Sequence, residues 1–313
     1  VQEGAAAARA RLDDIAALAG QARAFADMDF GLLYDRDTGL LAAGYDVTEG
    51  RQEDAACDQL ASEARLASFI GIARGQLPQA HWFALGRQLG VVGGEQLLLS
   101  RGGALRDHLM PSLVMPAWRG TLLDQSARAA IHVQSDHARR HGVPWGVSDC
   151  ACNTVDASLE YAYRAFGVPG MGLRRGLGQD LVIAPHAAML GLMVAPEQAC
   201  ANLERMAGLG LVGRLGFYEA IDYTGARLPQ GQEHGQRHAV VRAFLAQHQG
   251  MGLLALAHLL LDRPMQKRFE ADPRLRAALP LLQFDAPLLE RVLCNVLENA
   301  AKYTPPGSRI AID

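Results

Sequence analysis

The sequence has only five cysteines in 313 residues, and none forms a C-x2-C pair, since Cys150 and Cys152 are separated by one residue. That spacing excludes a thiolate zinc knuckle, and a sparse, odd set excludes a disulfide framework; the thiols read as reduced, in a cytoplasmic setting. No apolar run approaches the roughly 20 residues that span a bilayer. The best stretch, Gly252 to Leu261, is short and contains His258. An excess of one charge is also missing: 33 acidic residues face 30 basic ones, for a net charge of −3. This excludes a nucleic-acid binder that works by bulk positive charge. His-Glu-x-x-His and G-x-x-x-x-G-K-[ST] do not occur, and the Gly-rich stretch 170–178 holds no G-x-G-x-x-G. His132, His137 and His141 stand at i, i+5 and i+9 and do not share the i, i+4 face of a helical zinc pair. The expectation is therefore a protein with no metal, no cofactor and no nucleic-acid partner.

What is present is a globular composition, half apolar and one fifth charged. Such a chain buries enough apolar surface to offset the entropy of ordering. A start at Val1 rather than Met, with no signal-peptide pattern, suggests a piece of something longer. Residues 2–27 have helical spacing and no proline. Tyr34-Asp-Arg-Asp-Thr-Gly39 and Gly44-Tyr-Asp-Val-Thr-Glu-Gly50 carry the Asp and Gly chemistry of tight turns and predict a short hairpin. Helical periodicity recurs over 54–74 and at about 106–116, 121–141, 155–165, 183–192, 196–209, 237–248, 251–262 and 286–302. Gly- and Pro-rich loops separate these runs at 142–146, 167–178, 213–216 and 229–235. Many helices and little strand-type alternation predict an all-α fold, a helical barrel or toroid with its loops gathered at one end.

Two constellations carry chemistry. In Gly142-Val-Pro-Trp-Gly-Val-Ser-Asp-Cys-Ala-Cys-Asn153, Trp145 offers a plate of the kind that stacks on sugar rings, with Asp149 and Asn153 as polar partners. The plain alternative is that Ser148 or Asp149 caps a helix. In Gly213-Arg-Leu-Gly-Phe-Tyr-Glu-Ala-Ile-Asp-Tyr-Thr224, Tyr218, Glu219, Asp222 and Tyr223 fall within six residues. Glycoside chemistry needs one protonated and one ionised carboxyl flanking the scissile bond. Glu219 is one candidate, and Asp149 or Asp107 the other. Tyr161, Tyr163 and Phe217 add aromatic surface. His248 either donates a hydrogen bond to substrate or satisfies a buried carbonyl.

With these motifs in view, residues about 28–280 resemble the glycoamylase-like central region of cyclic β-1,2-glucan synthases. The runs that carry the resemblance include Gly44-Tyr-Asp-Val-Thr-Glu-Gly-Arg51, Leu60-Ala-Ser-Glu-Ala-Arg-Leu-Ala-Ser-Phe69, Pro78-Gln-Ala-His-Trp-Phe83 and Gly120-Thr-Leu-Leu-Asp-Gln125. Gly142-Val-Pro-Trp-Gly146, Phe166-Gly-Val-Pro-Gly170, Asp180-Leu-Val-Ile-Ala-Pro185, Gly216-Phe-Tyr-Glu-Ala-Ile-Asp-Tyr223 and His248-Gln-Gly-Met251 continue it. The resemblance implies an (α/α)6-type barrel, complete or cut short, that cuts and rejoins β-1,2-glucan by retaining transglycosylation. It implies catalytic carboxyls among Glu219, Asp149 and Asp107. The implied substrate-binding residues are Trp145, Asn153, Tyr218, Asp222, Tyr223, His248 and Gln249. The partner is then a β-1,2-linked glucan, and the parent synthase, joined to glycosyltransferase and phosphorylase-like domains, is expected at the inner membrane. The family pattern has Glu where this chain has Asp107 and Asp149. A catalytic acid displaced by about 1 Å costs on the order of a hundredfold in rate, so a non-catalytic glucan-binding module is the rival reading.

Residues 281–313 resemble the first helix of the ATP-binding domain of potassium-responsive sensor histidine kinases, with Asn295, Glu298, Asn299 and Lys302 matching. One helix cannot enclose a nucleotide, so kinase activity is not expected and the segment reads as a fusion scar. The expected organisation is a helix over 1–27, a glycoamylase-like domain over 28–280, and the kinase-like fragment over 281–313.

Overall fold

The computed structural model describes residues 2–228 and 238–283, together with 294, 295, 297–299, 302 and 303. Loop 229–235 and most of the kinase-like segment therefore lie outside the described residues. Two compact units result, divided between Ala56 and Cys57.

In the first unit, helix Gln2–Ala26 is followed by two small hairpins, Tyr34–Asp35 with Leu40–Ala42 and Tyr45–Asp46 with Arg51–Gln52. Aspartates build both turns. Asp35 accepts hydrogen bonds from the Asp37 N–H at 2.9 Å and the Thr38 hydroxyl at 2.7 Å, and Asp46 accepts from the N–H groups of Thr48 and Glu49. The hairpin expected from the Asp-x-Asp-x-Gly run is thus present, and a second follows it.

The second unit is built on helices Arg65–Ala73, Leu105–Leu109, Leu122–His141, Pro185–Leu190, Pro196–Gly208, Ala246–Leu260, Pro264–Ala271 and Pro273–Ala278. Four of them start at a proline, whose missing N–H costs nothing in the first turn. Helix Leu122–His141 shows why the chain folds here. The Thr121 hydroxyl caps its first turn by accepting from the Asp124 N–H. Gly142, at φ 71°, ends it in the left-handed conformation, and the Val143 N–H returns to the Ala138 carbonyl. Ala127, Ala130, Ile131, Gln134 and Ala138 are buried at helical spacing and face the core. That core runs from Leu105 and Leu109 through Ile131, Trp145, Phe166, Met171 and Ile183 to Leu190 and Met206.

The all-α expectation is corrected. Among the described residues of this unit the helices are joined by short antiparallel strands: Leu89–Val92 with Glu95–Leu98, Cys150–Val155 with Tyr161–Arg164, and Val212–Gly213 with Gly216–Phe217. A fourth group is a buried three-stranded sheet, Val182–Ile183, Ala220–Asp222 and Ala239–Val241, with the middle strand in register Ile221 to Ile183 and Ile221 to Val240. Segment 155–165, expected as a helix, is a hairpin. Asp156 accepts from the N–H groups of Ser158 and Glu160, and Leu159 sits at φ 62°, a local turn that competes with helical hydrogen bonding. Over 237–248, strand Ala239–Val241 comes first and the helix begins only at Ala246. Glycines permit one close backbone approach: a Cβ on Gly172 would lie 2.5 Å from the Gly102 carbonyl carbon, and one on Gly167 would overlap the Gly102 oxygen.

Candidate active site

The segment that carries Asp149 is held by side-chain amides rather than by a sheet partner. Gln134 donates to the Val147 carbonyl at 2.9 Å and accepts from its N–H at 2.8 Å. Asn202 does the same for Trp145, at 2.8 and 3.0 Å. Two helices thus fix the loop that delivers Asp149 and strand Cys150–Val155, with each buried backbone group paired as burial demands.

Glu219 immediately precedes the middle strand of the buried sheet, and its side chain is 1% exposed. Its Oε1 accepts from the Ala151 N–H at 3.2 Å and lies 2.8 Å from His248 Nδ1, while Oε2 is buried without a partner. The His248 Nε2 is 3.4 Å from both the Gln247 amide and the Tyr163 hydroxyl. With Nδ1 donating to Glu219, Nε2 accepts from the Gln247 amide. The Tyr163 hydroxyl donates in turn to the Asp149 carbonyl at 3.2 Å. Contacts thus run from Glu219 to His248 to Tyr163 and end on the Asp149 backbone carbonyl, while the Asp149 carboxylate faces Arg106.

The Asp149 carboxylate is paired with Arg106 at 2.8 Å, and Arg106 also reaches Glu63 at 3.2 Å. Burial pushes the Asp149 carboxyl up, and the Arg106 guanidinium opposes that shift without cancelling it. Asp107, one residue along helix Leu105–Leu109, is raised to about 6, first by burial and further by the neighbouring Asp149 charge, against a hydrogen bond from Ser100. Three carboxyl groups in unlike environments result: Glu219 held by N–H donors, Asp149 held by a guanidinium, and Asp107 holding its proton to near neutrality.

Other expected residues go elsewhere. Trp145 is 5% exposed, with its ring against Gly191, so the expected stacking plate is corrected to a core residue. Asp222, fully buried, is pushed up by burial but drawn below the usual range by hydrogen bonds from Arg227, Asn153 and Thr224, a structural ion pair rather than a free carboxylate. Asn153 belongs to the same knot, its N–H donating to Asp222 at 3.0 Å and its amide to the Arg227 carbonyl. Gln249 donates to the Phe217 carbonyl at 2.9 Å, and the Tyr218 ring packs on Phe244 at 5.1 Å. Tyr223 packs near His238 at 5.5 Å, and burial pushes its hydroxyl to about 12.

Sequence reasoning missed Arg106 and His186 and counted Tyr163 only as aromatic surface. His186 stacks on His248 at 3.6 Å with planes 18° apart, and neither of its nitrogens has a partner. Burial holds it well below the usual histidine range, with the neighbouring His248 adding to the shift. Ligand atoms of His186, Glu219 and His248 lie within 4.8 Å of one another, but a face-to-face stack sets the two imidazole lone pairs side by side rather than convergent on a common centre. No local pattern marks these residues; a signal existed only for Arg106, a cation directly before a candidate acid.

Carboxyls in unlike environments, set among helices, are the equipment that glycoside chemistry requires. The family comparison agrees: the glycoamylase profile, described as "Putative glucoamylase", matches residues 57–273, and the chain belongs to this family. It is 43% identical over 260 residues to the cyclic beta-(1,2)-glucan synthase NdvB of Rhizobium meliloti, covering 83% of this chain and 9% of that protein's length. Among solved structures, a putative glucoamylase from Bacteroides fragilis superposes with a TM-score of 0.60 at 17% identity, over 81% of this chain and 60% of its own. An endo-beta-1,2-glucanase from Chitinophaga pinensis gives a TM-score of 0.58 at 17% identity, over 83% of this chain and 62% of its own. These two likenesses establish the shared fold. No helix among the described residues is long and apolar enough to cross a membrane. The cysteines form no disulfide, and Cys150 and Cys152 are buried.

Proposed function

We propose that this chain acts on β-1,2-linked glucan, cutting and rejoining it with retention as one module of cyclic β-1,2-glucan synthesis. The observation that carries the reading is a Glu219 carboxylate held by the Ala151 N–H and His248, together with an Asp149 carboxyl that burial raises beside Arg106. The 43% identity to a cyclic β-1,2-glucan synthase and the fold shared with an endo-β-1,2-glucanase support the choice of substrate. In this reading the free Oε2 of Glu219 bonds to the anomeric carbon as the Asp149 carboxyl gives its proton to the departing glycosidic oxygen. A hydroxyl of another glucan chain then displaces Glu219, returning its proton to Asp149, so that one glycosidic bond is broken and one is made. His248 orients the nucleophile. Asp107, which burial keeps protonated up to about pH 6, is the alternative donor.

One observation favours a second reading, a glucan-binding module without turnover: the Glu219 side chain is 1% exposed. Incubation with linear β-1,2-glucan separates the two. Shortened, lengthened or cyclised products that disappear in Glu219→Gln support catalysis. Saturable binding with an unchanged product profile, unrestored by Asp149→Glu, supports the second reading.

A further inference from the structure

A second group of cations lines a partly enclosed cavity of about 200 Å3 that contains none of the three candidate carboxyls. Arg65, Arg119, Arg128, Arg263, His258 and Gln266 contribute to its wall, and Asp124 is the only acid there. Arg65 is 4% exposed, yet its guanidinium meets only carbonyl oxygens, those of Leu60, Asp107 and His108 at 3.4, 3.3 and 2.8 Å. A buried guanidinium without a counter-anion is costly. Asp124 is taken by Arg128 at 3.1 Å, and among the described residues Arg119 and Arg263 have no acidic partner within ion-pair distance. Lys267 claims the neighbouring Asp262.

Two further features mark the cavity as built for an occupant. His258 and Gln266 face each other across the cavity wall, but His258 Nδ1 and Gln266 Oε1 are buried and neither completes a well-formed hydrogen bond, while the Gln266 amide nitrogen is fixed on the Ser112 carbonyl. Asp262 and Arg263 stand consecutively in the left-handed region, at φ 54° and 55°. Non-glycine residues there cost about 1–3 kcal/mol each and persist only where their surroundings impose them. Here the strained pair delivers a cation to the cavity rim.

We propose that this cavity binds a tetrahedral oxyanion, a phosphate group either free or as an ester. Guanidinium forks match phosphate oxygens in pairs, and a dianion would supply the countercharge that Arg119 and Arg263 lack and add to the Asp107 charge that Arg65 already feels. His258 and Gln266 would satisfy the remaining oxygens and a protonated P–OH. The site goes beyond the glucan reading, because a neutral glucan offers no anion, and either can fail without the other.

The test is calorimetric titration of the full chain with inorganic phosphate at constant ionic strength, against chloride, with glycerol phosphate as a parallel arm. The comparison protein is Arg119→Ser/Arg263→Gly, two exposed positions, the second relieved of backbone strain by glycine. Saturable phosphate binding that weakens at least tenfold in the double variant is expected. Tighter binding of glycerol phosphate identifies an ester as the occupant, and equal or weaker binding identifies the free ion. No saturable binding, or equal binding by the double variant, overturns the proposal.

Discussion

His248 Nδ1 lies 2.8 Å from Glu219 Oε1, and both side chains are 1% exposed. The ring can therefore orient the carboxylate without competition from water, and Oε1 is fully engaged while Oε2 is not. Replacing His248 by Ala leaves a buried carboxylate short of one donor. On the catalytic reading, turnover of β-1,2-glucan should fall by about 10²–10⁴-fold, with Glu219→Gln lower still. Product analysis by mass spectrometry, with circular dichroism as the folding control, checks this. Unchanged turnover in folded His248→Ala would remove His248 from the mechanism.

The Arg106–Asp149 pair at 2.8 Å restrains the upward shift that burial imposes on Asp149. Arg106→Met should move the Asp149 carboxyl higher, and because Asp149 acts as the acid, the alkaline limb of the pH–activity profile should move up with it. Carbon-detected NMR titration of Asp149 reads the shift directly. A downward or absent shift contradicts the assigned electrostatics.

Asp107 titrates at about 6 in the folded protein against 3.8 unfolded. Folding thus favours its protonated form: the contribution to stability is whole below pH 3.8 and is lost as pH rises through 6. By pH 7 the loss amounts to roughly 2–3 kcal/mol. Asp107→Asn keeps the shape without the charge, so the variant should gain stability relative to the parent between pH 4 and 7. Urea unfolding at several pH values tests it.

Gln134→Ala should cost about 1–3 kcal/mol, because it strands the buried N–H of Val147, whose carbonyl keeps the Leu105 N–H. Asn202→Ala strands both the N–H and the carbonyl of Trp145 and should cost more. Thermal unfolding measures both. If the amides anchor the loop that delivers Asp149, each variant should also lose activity beyond its loss of folded protein.

Gly172→Ala places a Cβ 2.5 Å from the Gly102 backbone, which cannot yield as a flexible side chain would. A loss of about 3 kcal/mol or more is expected. Gly208→Ala meets nothing within 4 Å and lies in a helix, so it should be neutral or stabilising. Paired denaturation curves decide the contrast.

The sequence by itself determined the local features. Thr121 and Gly142 bracket helix Leu122–His141, prolines start four other helices, and the aspartates of 35 and 46 form their turns. Each depends on residues within a few positions of one another. The ordered motifs also pointed to glycoside chemistry and to Glu219, Asp149 and Asp107. Segment 155–165 misled because so short a run gives too few repeats to tell the helical period from strand alternation, and the Asp156 turn decided between them. Only the tertiary structure decided roles. Trp145 became core because its ring packs against Gly191 while Asn202, 57 residues away, holds its backbone, and Asp222 became an ion pair with Arg227. His248 and Glu219 meet across 29 residues, and Arg106 and Asp149 across 43. Burial and partnership set protonation, and both arise only when distant segments pack together.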